Sequence, residues 1–238
     1  MRQVWHDLLF AHWQVNPVEL RPLVPAQLEL DLYDDRAWVA VTPLHMSGVH
    51  MRGLPPMLGM SAFPELNVRT YVKFGGVPGV FFFSLDAASR MAVIGARATF
   101  FLPYYHAEMQ AEGEGESIRY QSRRRNSPAE FRGRYRPVAR PRQREKGSVE
   151  HFLTERYCLY AVTPRGKLLR ADIHHLPWPL QDAQAEIEVN TMAEAAGIRL
   201  PDQPPLLHFS KRLEVLVWWP QRVGLTSIEG SRPTLQRG

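Results

Sequence analysis

The sequence predicts one mainly β (α+β) domain. Its antiparallel strands form a closed or nearly closed barrel, with a few short helices. Three observations predict this. Short runs of apolar residues recur, many alternating with polar ones, and close turns separate them. Helical stretches are few and short. A sheet of many strands leaves edges that attract other chains, and closing the sheet hides them. The domain is read over residues 1–220, with 221–238 as a flexible tail.

Residues 6–13 fit either a helical turn or a first strand. Asn16 to Gln27 has a short helical core, with Pro17 in the first turn and Pro25 ending it. Leu28 to Leu32 alternates strictly and reads as a half-buried strand. Asp34-Asp35-Arg36 turns the chain into a second hairpin strand, Ala37 to Thr42. Residues 46–64 are rich in Pro, Gly and Met and read as a long loop, a lid or a wall of a site.

Leu66 to Phe74 and Val80 to Leu85 form a hairpin about Gly75-Gly76. Phe81-Phe82-Phe83 suits a strand covered on both faces. Asp86 is placed to cap a following helix that ends near Gly95. Tyr105 to Gln110 and Ser117 to Ser122 make the next hairpin, and Ala129 to Arg136 a further strand. Ser148 caps a short helix, and Cys158 to Val162 pairs with Leu168 to His174. Val189 to Ala196 reads as a helix closed by Gly197, and Leu206 to Trp219 as the last strand.

A chain of 238 residues can bury a core without staples. Its single cysteine, Cys158, forms no internal disulfide, which fits a reducing compartment. No apolar stretch is long enough for a membrane span or a signal peptide, so a soluble cytoplasmic protein is expected. The formal charge is +5. Ten Arg and one Lys against two Glu crowd between Arg119 and Lys146, a local +9 that leaves −4 elsewhere. Interleaved Tyr120, Phe131 and Tyr135 would suit nucleic acid. The arginines alternate with apolar residues, however, as on the solvated face of strands, and this argues against nucleic acid.

Chemistry concentrates between Phe63 and Met109. Glu65 and Arg69 are four apart on a strand and therefore share a face. If that face is buried, Arg69 can grip an anion bidentately and Glu65 can act as a base, its pKa raised by burial or lowered by Arg69. A structural ion pair or a solvent-facing strand is the plainer alternative. Of Tyr104 and Tyr105, neighbours on a strand, at most one should face a given pocket. The same holds for His12 and Trp13. The histidines are scattered without metal-binding spacing, and neither a GxSxG elbow nor a phosphate-binding glycine loop occurs. No metal or cofactor is expected.

The blocks LLFAHWQV, LRPLVPAQLEL, SAFPELNVRTYV, FFFSLDAASRMAVIGAR, LPYYHAEM, FLTERYCLY, IHHLPWPLQ, NTMAEAAGI and LLHFSKRLEVLVW resemble the YqjF-type domain of unknown function. More distantly, LRPLVPAQLEL and SLDAASRMAVIGARATFFLPYY resemble blocks of the acetoacetate decarboxylase superfamily. The resemblance implies that superfamily's barrel and interior pocket. It puts Tyr104 at the lysine that forms the Schiff base in decarboxylases and Tyr105 at the lysine that lowers its pKa. Glu65 falls near the pocket glutamate. An imine needs a primary amine, and tyrosine has none, so acetoacetate decarboxylation by that route is not expected.

The expected ligand is a small organic molecule with a carboxylate or carbonyl. Glu65 and Tyr104 are the candidate catalytic groups, and Arg69, Tyr105, His12 and Trp13 the candidate ligand-binding ones. Whether the protein is an enzyme, such as a lyase without a Schiff-base lysine, or a non-catalytic binding protein is open on sequence. Self-assembly is the third reading, since barrels of many strands often form homo-oligomers.

Overall fold

The computed structural model of the chain describes residues 1–50 and 62–224. Among the described residues the expectation of a mainly antiparallel β protein with few short helices holds. The strands are β1 (Arg2–Val15), β2 (Glu29–Leu30), β3 (Ala37–His50), β4 (Phe63–Phe74) and β5 (Val77–Ala87). After helix α2 come β6 (Tyr104–Glu114), β7 (Ser117–Arg124) and β8 (Glu130–Pro137). Then follow β9 (Cys158–Val162), β10 (Leu168–His174), β11 (Gln181–Asn190), β12 (Leu206–Val217) and β13 (Gln221–Arg222). Helices α1 (Pro17–Leu20), α2 (Arg90–Phe100) and α3 (Val149–Thr154) are the α-helical segments. None of them is long and apolar enough to cross a membrane.

The sheet is not a plain barrel. Strands β5, β4, β3, β1 and β12 lie side by side, and both outer members fork. One part of β5 (Val80, Phe81) pairs in parallel with β9, and another (Leu85 to Ala87) in parallel with β6. On the far side, Phe209 and His208 of β12 pair with β11, while Leu216 and Val217 pair with β10. Among the described residues one ring of nine strands therefore closes through β6, β7, β8 and β11. A second ring of seven closes over the same five strands through β9 and β10. Length makes this feasible. β1 and β3 run for 14 residues each and β4 and β12 for 12, about twice an ordinary strand. One end can then join one set of partners and the other end a different set.

The shared strands are covered on both faces. Odd residues of β1 (Leu9, Ala11, Trp13) join Tyr120, Phe131, Tyr135 and Phe209 in the core of the nine-strand ring. Even ones (Leu8, Phe10) join Trp38, Tyr71, Leu159 and Ile173 in the second core. Phe82 falls in the second core and Phe81 and Phe83 pack against the first, as a strand covered twice requires. Gly79 lets β9 pass close to β5. A Cβ there would sit 2.7 Å from Cys158 Sγ and 2.8 Å from its carbonyl.

Several sequence readings are corrected. Residues 6–13 are strand throughout, held between β3 and β12. The Leu28–Leu32 strand shrinks to two residues and pairs with β4, not with the strand after the Asp34-Asp35 turn. Of the 46–64 loop, 46–50 and 63–64 are strand, and its central part, 51–61, lies outside the described residues. Asp86 is not a cap. Ser89 caps α2, accepting from Ala92, and Gly95 lies inside that helix. Most of the expected 189–196 helix is missing. Its start is the end of β11, leaving one 3-10 turn at Glu194–Ala196 closed by Gly197. Residues 221–222 of the expected tail are strand β13, paired with β10; residues 225–238 lie outside the described residues.

Asp86 has a different task. It is fully buried on β5 and meets Arg124 of β7, whose Nε lies 2.9 Å from Oδ1 and 3.2 Å from Oδ2. Arg124 Nη2 is also 2.8 Å from Oδ1, though outside hydrogen-bond geometry. Removing one charge of a buried pair leaves the other uncompensated. Asp86→Asn is expected to cost about 3–5 kcal/mol, read as a lower urea midpoint at unchanged slope. A loss below about 1 kcal/mol would show that the pair is not a structural one.

Candidate functional site

Odd residues of β4 from Phe63 to Tyr71 lie on the face of the second core. Glu65, Asn67, Arg69 and Tyr71 follow one another on that face, each at most 7% exposed. β1 adds His12 next to Phe10, and β3 adds Trp38 and Thr42, the latter directly opposite Asn67. Tyr104 arrives from the start of β6, just after α2.

At one end of this face the Tyr104 hydroxyl donates to Glu65 Oε2 at 2.6 Å. Behind the strand, the Tyr120 hydroxyl donates to the Glu65 carbonyl at 2.7 Å and fixes the backbone from the other core. Burial pushes the Glu65 carboxyl up from 4.5 to about 7, although hydrogen bonds from Tyr104 and Asn67 favour its ionised form. The group is therefore poised to gain or lose a proton near neutrality, as acid–base chemistry requires. Burial, reinforced by the Glu65 charge and hydrogen bond, drives the Tyr104 hydroxyl well above its ordinary range, so Tyr104 keeps its proton.

At the other end, Arg69 lies over aromatic rings, its Cζ 5.1 Å from the centre of Phe10 and 6.0 Å from that of Tyr71. The structural ion pair with Glu65, the plainer alternative on sequence, is not made. Among the described residues no carboxylate forms an ion pair with Arg69, and its Nε has no hydrogen-bond partner. His12 Nε2 is 2.7 Å from the Tyr71 hydroxyl. Burial first, then the charge of Arg69, holds His12 well below the usual imidazole range, so the ring is neutral.

Among the described residues several buried polar atoms on this one face lack a partner: His12 Nδ1, Trp38 Nε1, Thr42 Oγ1, Asn67 Oδ1 and Arg69 Nε. Native interiors contain few such atoms, because each costs roughly 1–3 kcal/mol.

The structure brings Glu65, Tyr104, Arg69 and His12 to one face. Trp13 is on the opposite face, in the other core. Tyr105 is about a third exposed and stacks on Arg124 and Arg97, with Cζ to ring-centre distances of 4.1 and 5.4 Å. Adjacent strand residues point apart, which separates both from the site. Tyr71, Asn67 and Thr42 escaped the sequence reading. The alternation from Glu65 to Tyr71 could have found the first two; Thr42 shows only through the pairing of β3 with β4. Among the described residues no group of three or more His, Cys, Asp or Glu is placed to hold a metal.

A family model described as an uncharacterized conserved protein matches residues 2–214. The chain belongs to the DUF2071 family. It is 52% identical over 219 residues to the uncharacterized protein YqjF of Bacillus subtilis (strain 168), an alignment covering 92% of this chain and 90% of that one. Among solved structures, this DUF2071 chain resembles acetoacetate decarboxylase from Legionella pneumophila, with a TM-score of 0.65 at 13% identity over 94% of this chain and 87% of that one. It resembles the enduracididine biosynthesis enzyme MppR with a TM-score of 0.68 at 11% identity, over 94% and 87%. An acetoacetate decarboxylase-like enzyme from Sphingomonas wittichii RW1 gives 0.64 at 14% identity, over 94% and 92%. At these identities the likeness shows the fold alone.

The raised pKa of Glu65 has a measurable sign. The fold favours the protonated carboxyl, so its contribution to stability is full below about pH 4.5 and is lost as the pH rises through about 7. Relative to Glu65→Gln, which cannot ionise, the wild type is expected to lose about 3 kcal/mol of unfolding free energy across that interval. Parallel pH profiles for the two proteins would show that Glu65 titrates normally.

Proposed function

We propose that this DUF2071 protein binds a small organic ligand bearing a carboxylate or carbonyl against the buried face of β4, without forming a lysine Schiff base. The observation that carries this reading is Arg69, a buried guanidinium that no carboxylate neutralises among the described residues. An unpaired buried cation is costly, and an anionic ligand removes the cost. In this reading Arg69 holds the anion, Glu65 moves a proton, and Tyr104 polarises an oxygen by donating to it.

The absence of imine chemistry is supported by the lysines. The chain has four, and none is buried: Lys146, Lys167 and Lys211 are exposed, and Lys73 is partly exposed beside Asp31 at 3.4 Å. Tyr104 stands where the superfamily resemblance places the reactive lysine. MppR has been solved with pyruvate, which makes oxo acids suitable probes here.

Native mass spectrometry of freshly purified protein, compared with the denatured mass, tests the reading. A bound small molecule is expected in the wild type and is expected to be lost in Arg69→Met, with affinity for oxo-acid probes falling by about 10- to 100-fold. Borohydride treatment with acetoacetate is expected to leave the denatured mass unchanged. A ligand retained equally by Arg69→Met, or a reduced adduct on a lysine, would overturn the corresponding half of the reading.

A further inference from the structure

Helix α2 is apolar almost all round. Ala92, Val93, Ala96 and Phe100 turn inward onto the second core. The opposite face carries Met91, Ile94 and Ala98, and Phe101 follows at the same spacing; all four are exposed. Positions three and four apart form one stripe along a helix. Arg97 is the single charge between Met91 and Phe101, and it is turned onto its own chain. Its Nε donates to the Tyr104 carbonyl at 2.6 Å, and its Cζ lies 5.4 Å from the centre of the Tyr105 ring. Beside the end of the helix, Trp219 stacks on Phe100 with ring centres 5.6 Å apart, and both Trp218 and Trp219 are about half exposed. A helix that is apolar all round is ordinarily covered all round. Here, among the described residues, one side is left open.

Two backbone features fit a second occupant of this side. Gly95 lies inside α2, one turn from both Met91 and Ala98. Glycine weakens a helix relative to alanine, yet a Cβ at Gly95 would meet nothing within 4 Å beyond the helix itself. Phe101, the C-cap, sits at φ 55, a left-handed position usually taken by glycine. The chain thus has glycine where its own packing needs none, and a bulky ring where glycine is usual. Both choices make sense if another surface comes close at Gly95 and takes up the Phe101 ring.

We infer that this surface is the same face of a second copy of the chain, packed antiparallel about a two-fold axis. Such an interface is isologous, so the stripe must complement itself. Reversed on itself, it sets Met91 against Phe101 and Ile94 against Ala98, large against small, with Gly95 near the axis. Area supports a pair as well. Met91, Ile94, Phe101, Trp218 and Trp219 are 40–61% exposed, which leaves about 600 Å² of largely apolar surface on side chains of this size. Two copies would bury about 1,200 Å², the lower bound of a specific interface.

Sedimentation velocity of the full chain across the micromolar range tests this. The wild type is expected at twice the chain mass. Ile94→Glu puts a carboxylate into the apolar contact from each side and is expected to weaken association by at least about 100-fold. Gly95→Leu adds a side chain that the single chain has room for and a close partner does not. It is expected to weaken association by at least about tenfold without lowering the thermal midpoint of the monomer. Both positions are open in the single chain, so both variants are expected to keep its β-rich circular dichroism. A wild type that is monomeric at the top of the range, or a dimer that both variants leave intact, would overturn the inference. So would a monomer that binds phosphatidylcholine–phosphatidylserine vesicles and releases them in Ile94→Glu, which would give the stripe to a lipid surface.

Discussion

Five long strands shared by two cores set every other feature of this molecule. A sheet with one face in water can leave polar side chains on that face. Here both faces of β5, β4, β3, β1 and β12 are packed, one against Tyr120, Phe131 and Tyr135, the other against Trp38, Phe82 and Trp178. A charged residue in the buried central part of these strands is therefore desolvated and must be paired or neutralised. Forking at β5 and β12 gives the second ring, and with it the burial of Glu65 and Arg69.

The fold answers that demand in two ways. Asp86 with Arg124, and Asp31 with Arg156 at 2.5 Å, are buried charges with opposite partners. These pairs tie distant segments together: β5 to β7, and the turn after β2 to the segment after α3. Glu65 and Arg69 are treated differently. Among the described residues neither is matched by an opposite charge: Glu65 is held by the Tyr104 hydroxyl, and Arg69 lies over Phe10 and Tyr71. Structural charges are matched within the chain. Glu65 and Arg69 are the exceptions, and perturbed carboxylates such as Glu65 cluster at functional sites.

The dense arginine run is mostly internal bookkeeping of the sheet. Arg119 and Arg134 meet Glu114, Arg125 meets Glu108, and Arg132 meets Glu130 and Glu188. Arg144 and Arg142 meet Asp182. Their partners come from β6, β8 and β11, neighbours in the sheet but, apart from Glu130, outside the run itself. The local excess of charge counted along the sequence is thus about halved across strands.

Local chemistry carried much of this into the sequence. Period-two alternation and Gly75-Gly76 determined the β4–β5 hairpin, and Asn16 and Ser148 the starts of α1 and α3. Alternation also put Glu65 and Arg69 on one face and set Tyr104 apart from Tyr105, because successive strand residues point oppositely whatever the fold. Other facts are relations between segments far apart in the chain. The forks at β5 and β12, the meeting of Tyr104 with Glu65 across 39 residues and of His12 with Tyr71 across 59, and the diversion of Asp86 from cap to ion pair all depend on which strands become neighbours. Whether Glu65 and Arg69 would pair was also beyond the sequence. Spacing gives the face, but only packing against Phe10, Tyr71 and Tyr104 decides which way each side chain leans.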